Sequence, residues 1–163
     1  MARRKYVYEY PRPAVTVDVA LVTRNENPRL LLIRRKHDPF AGCWALPGGF
    51  VDMDESLEAA ARRELMEETG VETVSLIQVG AFGDPQRDPR GRTISVVYLA
   101  QVDENAVRPQ AADDATEVGW FSLARPPKLA FDHKEILTHV RKHLKARHAG
   151  LRSRISLTSA AVS

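Results

Sequence analysis

Three glutamates, Glu64, Glu67 and Glu68, sit close together in the run LEAAARRELMEET. Glu64 and Glu68 are four residues apart, so on a helix their carboxylates stack on one face with Glu67 beside them. Like charges packed so closely repel. A hard divalent cation among them removes that repulsion, and ligands made only of oxygen suit Mg²⁺ or Mn²⁺ better than Zn²⁺. The plainer reading of such a charge run is a solvated acidic face paired to Arg62 and Arg63. The loop just ahead, Leu46-Pro47-Gly48-Gly49, favours the metal reading. Glycine has no Cβ, so backbone can come close to the helix and offer carbonyl oxygens as further ligands.

A second set of residues bears on the partner of such a site. Residues 83–92, GDPQRDPRGR, carry Arg87, Arg90 and Arg92 together with two prolines, Pro85 and Pro89. Arginine forks grip phosphate bidentately, and prolines reduce the entropy lost when a loop orders. The three arginines are therefore candidates for binding an anionic substrate. The alternative is that they pair with Asp84 and Asp88 and only shape the loop; Arg34 or Arg35 would then be the next cations to consider.

The elements that must position these groups follow from pattern and composition. Residues 56–69 are rich in the best helix formers and hold no Gly or Pro. Ser56 or Asp54 can cap the start, and Gly70 suits the left-handed residue past the end. Leu57, Ala61 and Leu65 form the stripe expected to face a core. Residues 14–23 and 30–34 are β-branched or apolar runs separated by Asn25-Glu26-Asn27-Pro28, a turn composition. Further strands are expected at 74–82, 93–102 and 117–121. Asp132-His133-Lys134-Glu135 has capping-box spacing for a second helix to about Arg147, with Ile136, Leu137, Val140 and Leu144 as its buried stripe. His133 reads as a helix-start residue, and Trp44 and Trp120 as core. Helices flanking a mixed sheet make an α/β sandwich.

From Gly49 to Val71 the chain also matches G-x5-E-x7-R-E-U-x-E-E-x-G-U, where U is aliphatic, at Gly49, Glu55, Arg63, Glu64, Leu65, Glu67, Glu68, Gly70 and Val71. This resembles the signature of the Nudix hydrolases. The resemblance implies an α/β/α sandwich with a central mixed sheet, and cleavage of a nucleoside diphosphate linked to another moiety. It implies metal ligation by Glu64, Glu67 and Glu68 with the Gly48 carbonyl, catalysis by Glu67 and Glu68, and an ion pair of Arg63 with Glu55 that holds loop against helix. A carboxylate outside the box often completes such a site. Asp114 is the first choice, with Asp113 and Glu117 behind it.

Outside the box, residues 10–18 (YPRPAVTVD), 83–96 and 129–133 (LAFDH) resemble the bacterial and archaeal ADP-ribose pyrophosphatases, and a proline beyond the box, here Pro85, goes with that specificity. The implied reaction is ADP-ribose to AMP and ribose 5-phosphate, with Phe50, Phe82 or a tyrosine available to stack on adenine, and relatives in the group are commonly homodimers. One alternative keeps the chemistry but takes an oxidised nucleoside triphosphate. Another is an ADP-ribose-sensing regulator of the same fold, which adds a winged-helix domain; the intact box glutamates favour an enzyme.

Length and composition fit one catalytic domain. The 163 residues are 44% hydrophobic and 28% charged, with net charge +3. That charge is too mild to argue nucleic-acid binding, yet it suits a small anion. Cys43 is the single cysteine, so an internal disulfide is excluded and a reducing compartment is expected. Arg3-Arg4-Lys5 is followed by charges and prolines rather than an apolar run, so no secretion signal or membrane span is expected. The expectation is a cytoplasmic protein with no membrane or nucleic-acid partner. It would comprise an N-terminal extension at 1–13, a catalytic domain at 14–147 and a tail at 148–163.

Overall fold

Alternating side chains along two long strands organise the molecule. A computed structural model describes residues 6–72, 75–111 and 115–159, without the side chains of 148 and 150–159. In chain order the elements are β1 (Ala14–Thr23), β2 (Arg29–Arg35), β3 (Trp44–Ala45), β4 (Gly48–Phe50), α1 (Leu57–Thr69), β5 (Ile77–Phe82), β6 (Thr93–Val102), β7 (Ala115–Ser122) and α2 (His133–Ser159), with a 3₁₀ turn at Glu104–Ala106. β1 and β6 pair in parallel along their whole length, from Ala14 opposite Thr93 to Thr23 opposite Val102.

Successive residues of a strand point to opposite faces. Val17, Val19 and Leu21 of β1 with Val96, Tyr98 and Ala100 of β6 pack on Ala60, Ala61 and Leu65 of α1. Ala20 and Val22, with Val97 and Leu99, pack on Ile136, Leu137, Val140 and Leu144 of α2. Both faces of the sheet are thus covered, each by one helix, which is the expected α/β sandwich. The described residues form a seven-stranded mixed sheet with the path β3-β2-β1-β6-β5; β4 pairs with β1 and β7 with β2. The antiparallel partners share β1 between them. β2 meets it at Val22 opposite Leu30, and β4 meets it at Thr16 to Asp18, so the glycine loop lies beside the first half of the strand.

Several boundaries differ from the sequence reading. β7 begins at Ala115 rather than 117 and ends at Ser122, paired along β2. β5 begins at Ile77, and residue 74, where the strand was expected to start, lies outside the described residues. The short strands β3 and β4 were not foreseen. Leu57 is 36% exposed, so the buried face of α1 is instead Ala60, Ala61, Leu65, Glu68 and Thr69.

α2 continues to Ser159, past the boundary expected at Arg147. Ala149, Leu151, Arg152 and Arg154 are strong helix formers, and Gly150 alone resists, at about 1 kcal/mol relative to Ala. The start of α2 also departs from a capping box. The carbonyl of Asp132 accepts from the Glu135 and Ile136 amides, while its carboxylate is engaged with Arg87. Among the described residues no helix is long and apolar enough to cross a membrane.

Candidate active site

α1 is held at both ends by the residues expected to cap it. The Ser56 hydroxyl accepts from the Ala59 amide at 3.1 Å, and Gly70, at φ 68°, donates its N–H to the Met66 carbonyl. The capped helix thus runs from Leu57 to Thr69 and carries Glu64 and Glu68 against the strand β4. Gly48 donates its N–H to Glu68 Oε2 at 2.8 Å. A Cβ on Gly49 would lie 2.3 Å from Glu64 Oε1, and one on Gly48 would lie 2.1 Å from the Val17 carbonyl oxygen. Only glycine at 48 lets β4 fit against β1, while a side chain at 49 would displace the Glu64 carboxylate.

Arg63 binds this corner together. Its guanidinium donates to both oxygens of Glu55, at 3.0 and 2.6 Å, to Glu64 at 2.8 Å, to Glu67 at 3.0 Å and to the Phe50 carbonyl at 3.0 Å. Glu55 closes the loop by accepting from the Asp52 amide at 2.8 Å. The Arg63 hydrogen bonds, then that of Asp52, hold the Glu55 carboxyl below its ordinary range.

The other two carboxylates behave oppositely. Burial raises Glu64 against the pull of Arg63. Burial pushes Glu68 up to about 8; the Gly48 N–H opposes the rise, while the negative charges of Glu64 and Asp18 add to it. Glu68 is 8% exposed. The structure thus brings Glu64, Glu68 and Gly48 together, while Glu67 is turned outward against Arg63 with its side chain 46% exposed. Among the described residues no three His, Cys, Asp or Glu side chains converge into a ready-made metal cluster.

An open cavity lies beside this corner, lined by Asp18, Arg35, Gly48, Arg87, Arg90 and His133 among others. Arg87 and Arg90 thus reach it, and Arg92 does not. Arg87 is bound bidentately to Asp132, at 2.7 and 2.6 Å, rather than to Asp84. Arg90 grips Asp88, at 2.7 Å for the shortest contact, and lies over the Phe50 ring at 4.7 Å and the Phe131 ring at 5.4 Å. Burial works to raise Asp88, but the Arg90 hydrogen bonds outweigh it and hold it low. Arg92 turns back to the Gly83 carbonyl.

Asp113 and Asp114 lie outside the described residues. Glu117 is exposed on β7, 3.5 Å from Arg34. Of the residues proposed for the core, Trp44 and Trp120 are half-buried and pack at its edges. Among the cavity residues, Asp18, Phe131 and His133 carried no functional reading in the sequence. A lone carboxylate in the apolar strand AVTVDVALVT was the available signal for Asp18. Phe131 and His133 were visible only as parts of LAFDH.

The NUDIX domain family model matches residues 12–140. The chain belongs to the Nudix family. It is 45% identical over 128 residues to the ADP-ribose pyrophosphatase of Methanocaldococcus jannaschii, an alignment covering 78% of this chain and 73% of that protein. It is 38% identical over 150 residues to an ADPR-responsive transcriptional repressor of Acinetobacter baylyi, covering 88% of this chain and 60% of the repressor. Among solved structures, the NUDIX domain of Shewanella oneidensis NrtR complexed with ADP ribose superposes with TM-score 0.74 at 35% identity, covering 83% of this chain and 90% of that one. The Nudix box is the corner built from Gly49, Glu55, Arg63, Glu64, Glu67 and Glu68.

Proposed function

We propose that this Nudix chain hydrolyses ADP-ribose to AMP and ribose 5-phosphate with a divalent cation, Mg²⁺ or Mn²⁺. The observation that carries the reading is the meeting of Glu64, Glu68 and Gly48 beside a cavity into which Arg87 and Arg90 face. The donor set fits a hard cation. Two partly or wholly buried carboxylates stand against a backbone strand, and burial, with the charges of Glu64 and Asp18, pushes Glu68 up to about 8, a cost that a bound cation would offset. Glu64, Glu68 and the Gly48 carbonyl would hold the cation, with Glu67 reaching it on release from Arg63. When bound, the cation neutralises pyrophosphate oxygens and lowers the pKa of a water for attack.

The remaining roles belong to this chain's own side chains. Arg63 fixes Glu64 and ties the box loop to the helix through Glu55. Arg90, or Arg35 on the same cavity wall, meets substrate phosphate, and Phe50 or Phe131 offers a ring face to the base. Asp114, or failing it Asp113 or Glu117, supplies the carboxylate outside the box. The active form is a homodimer.

Support for ADP-ribose comes from the archaeal pyrophosphatase and from the NrtR domain bound to that ligand. The test is hydrolysis of a substrate panel with Mg²⁺, with and without chelator, and identification of products. AMP from ADP-ribose is expected at higher kcat/KM than release of pyrophosphate from any nucleoside triphosphate. Preference for an oxidised guanine triphosphate would move the protein to nucleotide housecleaning. Tight ADP-ribose binding without turnover would make it a sensor, as the similarity to the Acinetobacter repressor allows.

A further inference from the structure

We infer that His133, at the first turn of α2, is a positioning residue for the box: its imidazole Nδ1 sets the loop Leu46-Pro47-Gly48 that presents oxygen to the cation. This rests on the metal-dependent reading given above and adds to it a residue outside the box.

The loop is fixed at three successive residues, from three directions. The Leu46 amide donates to His133 Nδ1 at 3.0 Å. The Pro47 carbonyl accepts from the Val19 amide at 2.8 Å. The Gly48 amide donates to Glu68 at 2.8 Å. Two of these anchors come from the sheet and from the box helix, and the third comes from the far helix through a single side chain. Leu46 is 1% exposed, so without the imidazole its N–H would be a buried donor with no acceptor, a costly arrangement.

The imidazole is itself held in one tautomer. Nδ1 accepts from an amide, so the proton resides on Nε2. Nε2 faces Asp18 Oδ1 at 3.4 Å, and the Ser95 hydroxyl donates to Asp18 Oδ2. His133 is 3% exposed and Ser95 is fully buried, and burial lowers the His133 pKa, which keeps the ring neutral. The nearby charge of Asp18 thus favours the tautomer that leaves Nδ1 free to accept from Leu46. Asp18 also flanks Gly48: a Cβ on that glycine would lie 2.9 Å from Asp18 Oδ1.

The neighbouring residues do related work. Phe131 lies under Arg35 at 4.9 Å and near Arg90 at 5.4 Å, and Asp132 holds Arg87. Consecutive residues at the start of α2 therefore fix the arginine loop and the glycine loop from one place.

Two conservative variants separate the two ends of the ring. His133→Asn places its amide oxygen near Nδ1 and keeps an acceptor for Leu46. His133→Gln reaches toward Asp18 and leaves the Leu46 amide unmatched. The readouts are Mn²⁺ binding by electron paramagnetic resonance, hydrogen exchange at the Leu46 amide, and kcat against KM. H133Q is expected to weaken Mn²⁺ binding and lower kcat, each by about 10- to 100-fold, with KM changed by less than about threefold. Its Leu46 amide should exchange faster in step, while H133N stays within about threefold of wild type on all three.

Wild-type Mn²⁺ affinity in H133Q overturns the proposal. So does an equal loss in both variants, which would make the ring a packing element only. Neither Mn²⁺ binding nor exchange requires a substrate, so an error about ADP-ribose leaves them decisive. If H133Q does not fold, the nitrogen NMR shifts of wild-type His133 still decide. A neutral Nε2–H tautomer is expected, and an Nδ1–H tautomer sinks the assignment.

Discussion

Arg87 and Asp132 are joined by two hydrogen bonds of 2.7 and 2.6 Å that tie the loop between β5 and β6 to the start of α2. The Arg87 side chain is 5% exposed and that of Asp132 18%. A buried pair of this kind stabilises little against an apolar replacement, yet removing one partner strands a charge. Arg87→Ala should therefore cost about 3 kcal/mol and lower Tm by on the order of 10 °C. Arg92→Ala, which loses only bonds to carbonyls at an exposed edge, should stay within about 0.5 kcal/mol. Thermal melts on the two variants check this, and equal Tm values would mean that Arg87 is not the anchor of the loop.

Arg90 separates recognition from bracing. Its guanidinium lines the cavity and spans from Asp88 to the faces of Phe50 and Phe131. If it also meets substrate phosphate, Arg90→Ala should reduce kcat/KM by about 10- to 150-fold, the worth of a charged hydrogen bond. Kinetics measured well below the melting temperature should show that loss. Full activity in Arg90→Ala would pass the role to Arg35.

Glu68 gives the protein a pH signature. Burial pushes its carboxyl from 4.5 to about 8, with the Gly48 N–H and Arg35 opposing the rise and Glu64 and Asp18 adding to it. Between those values the folded chain holds a proton that the unfolded chain has lost. The stability this contributes is complete below about 4.5 and disappears as pH rises through about 8. Glu64, also raised by burial, acts in the same direction. A cation takes the place of the proton, so the rise in Tm on adding Mg²⁺ should grow between pH 6 and pH 8. A rise in Tm independent of pH over that window would count against Glu68 as a ligand.

The box glutamates should divide by position. Glu68→Gln and Glu64→Gln keep size and remove a negative donor, so kcat should fall on the order of 10³-fold, equivalent to ~4 kcal/mol of barrier. Melting of the metal-free Glu68→Gln variant should be preserved or raised at pH 8, because no buried charge has to form. Glu67 is turned to Arg63 and half-exposed, so Glu67→Gln tests whether it leaves that partner to reach the cation. Hydrolysis by Glu64→Gln and Glu68→Gln at wild-type rates would remove both from the metal site.

What could be read in advance followed the range of the physical signal. β1, β6 and α1 carry strong periodicity and local caps, so their positions were legible residue by residue. β3 and β4 are two and three residues long, too short for any alternation to show. The arginine loop was legible as chemistry but not as pairing, because Asp132 is 45 positions from Arg87. His133 looked like an ordinary first-turn residue for the same reason. Its partner, the Leu46 amide, is 87 positions away, and a backbone amide leaves no mark in the sequence. Glu67 shows the opposite limit: helical spacing placed it beside Glu64 and Glu68, but Arg63 decides where its carboxylate points.

The two box glycines should fail in different ways when each is given a methyl group. On Gly48 the new Cβ would sit 2.1 Å from the Val17 carbonyl oxygen and 2.9 Å from the Asp18 Cα, both backbone atoms of the central strand. Neither can move without breaking the β1–β4 pairing, so Gly48→Ala should destabilise the fold by about 3 kcal/mol or more, at the upper end for overpacking. On Gly49 the Cβ would meet only the Glu64 carboxylate, at 2.3 to 2.6 Å. That group ends a flexible side chain and can swing aside, so Gly49→Ala should fold with a loss of about 1 kcal/mol. Its cost should appear in catalysis, as Glu64 is displaced from the place where it faces Gly48 and Glu68, with kcat lower by about 10- to 100-fold. Melts and kinetics on the pair decide the matter. A fully active Gly49→Ala protein would show that Glu64 need not occupy that place, and would remove it from the ligand set.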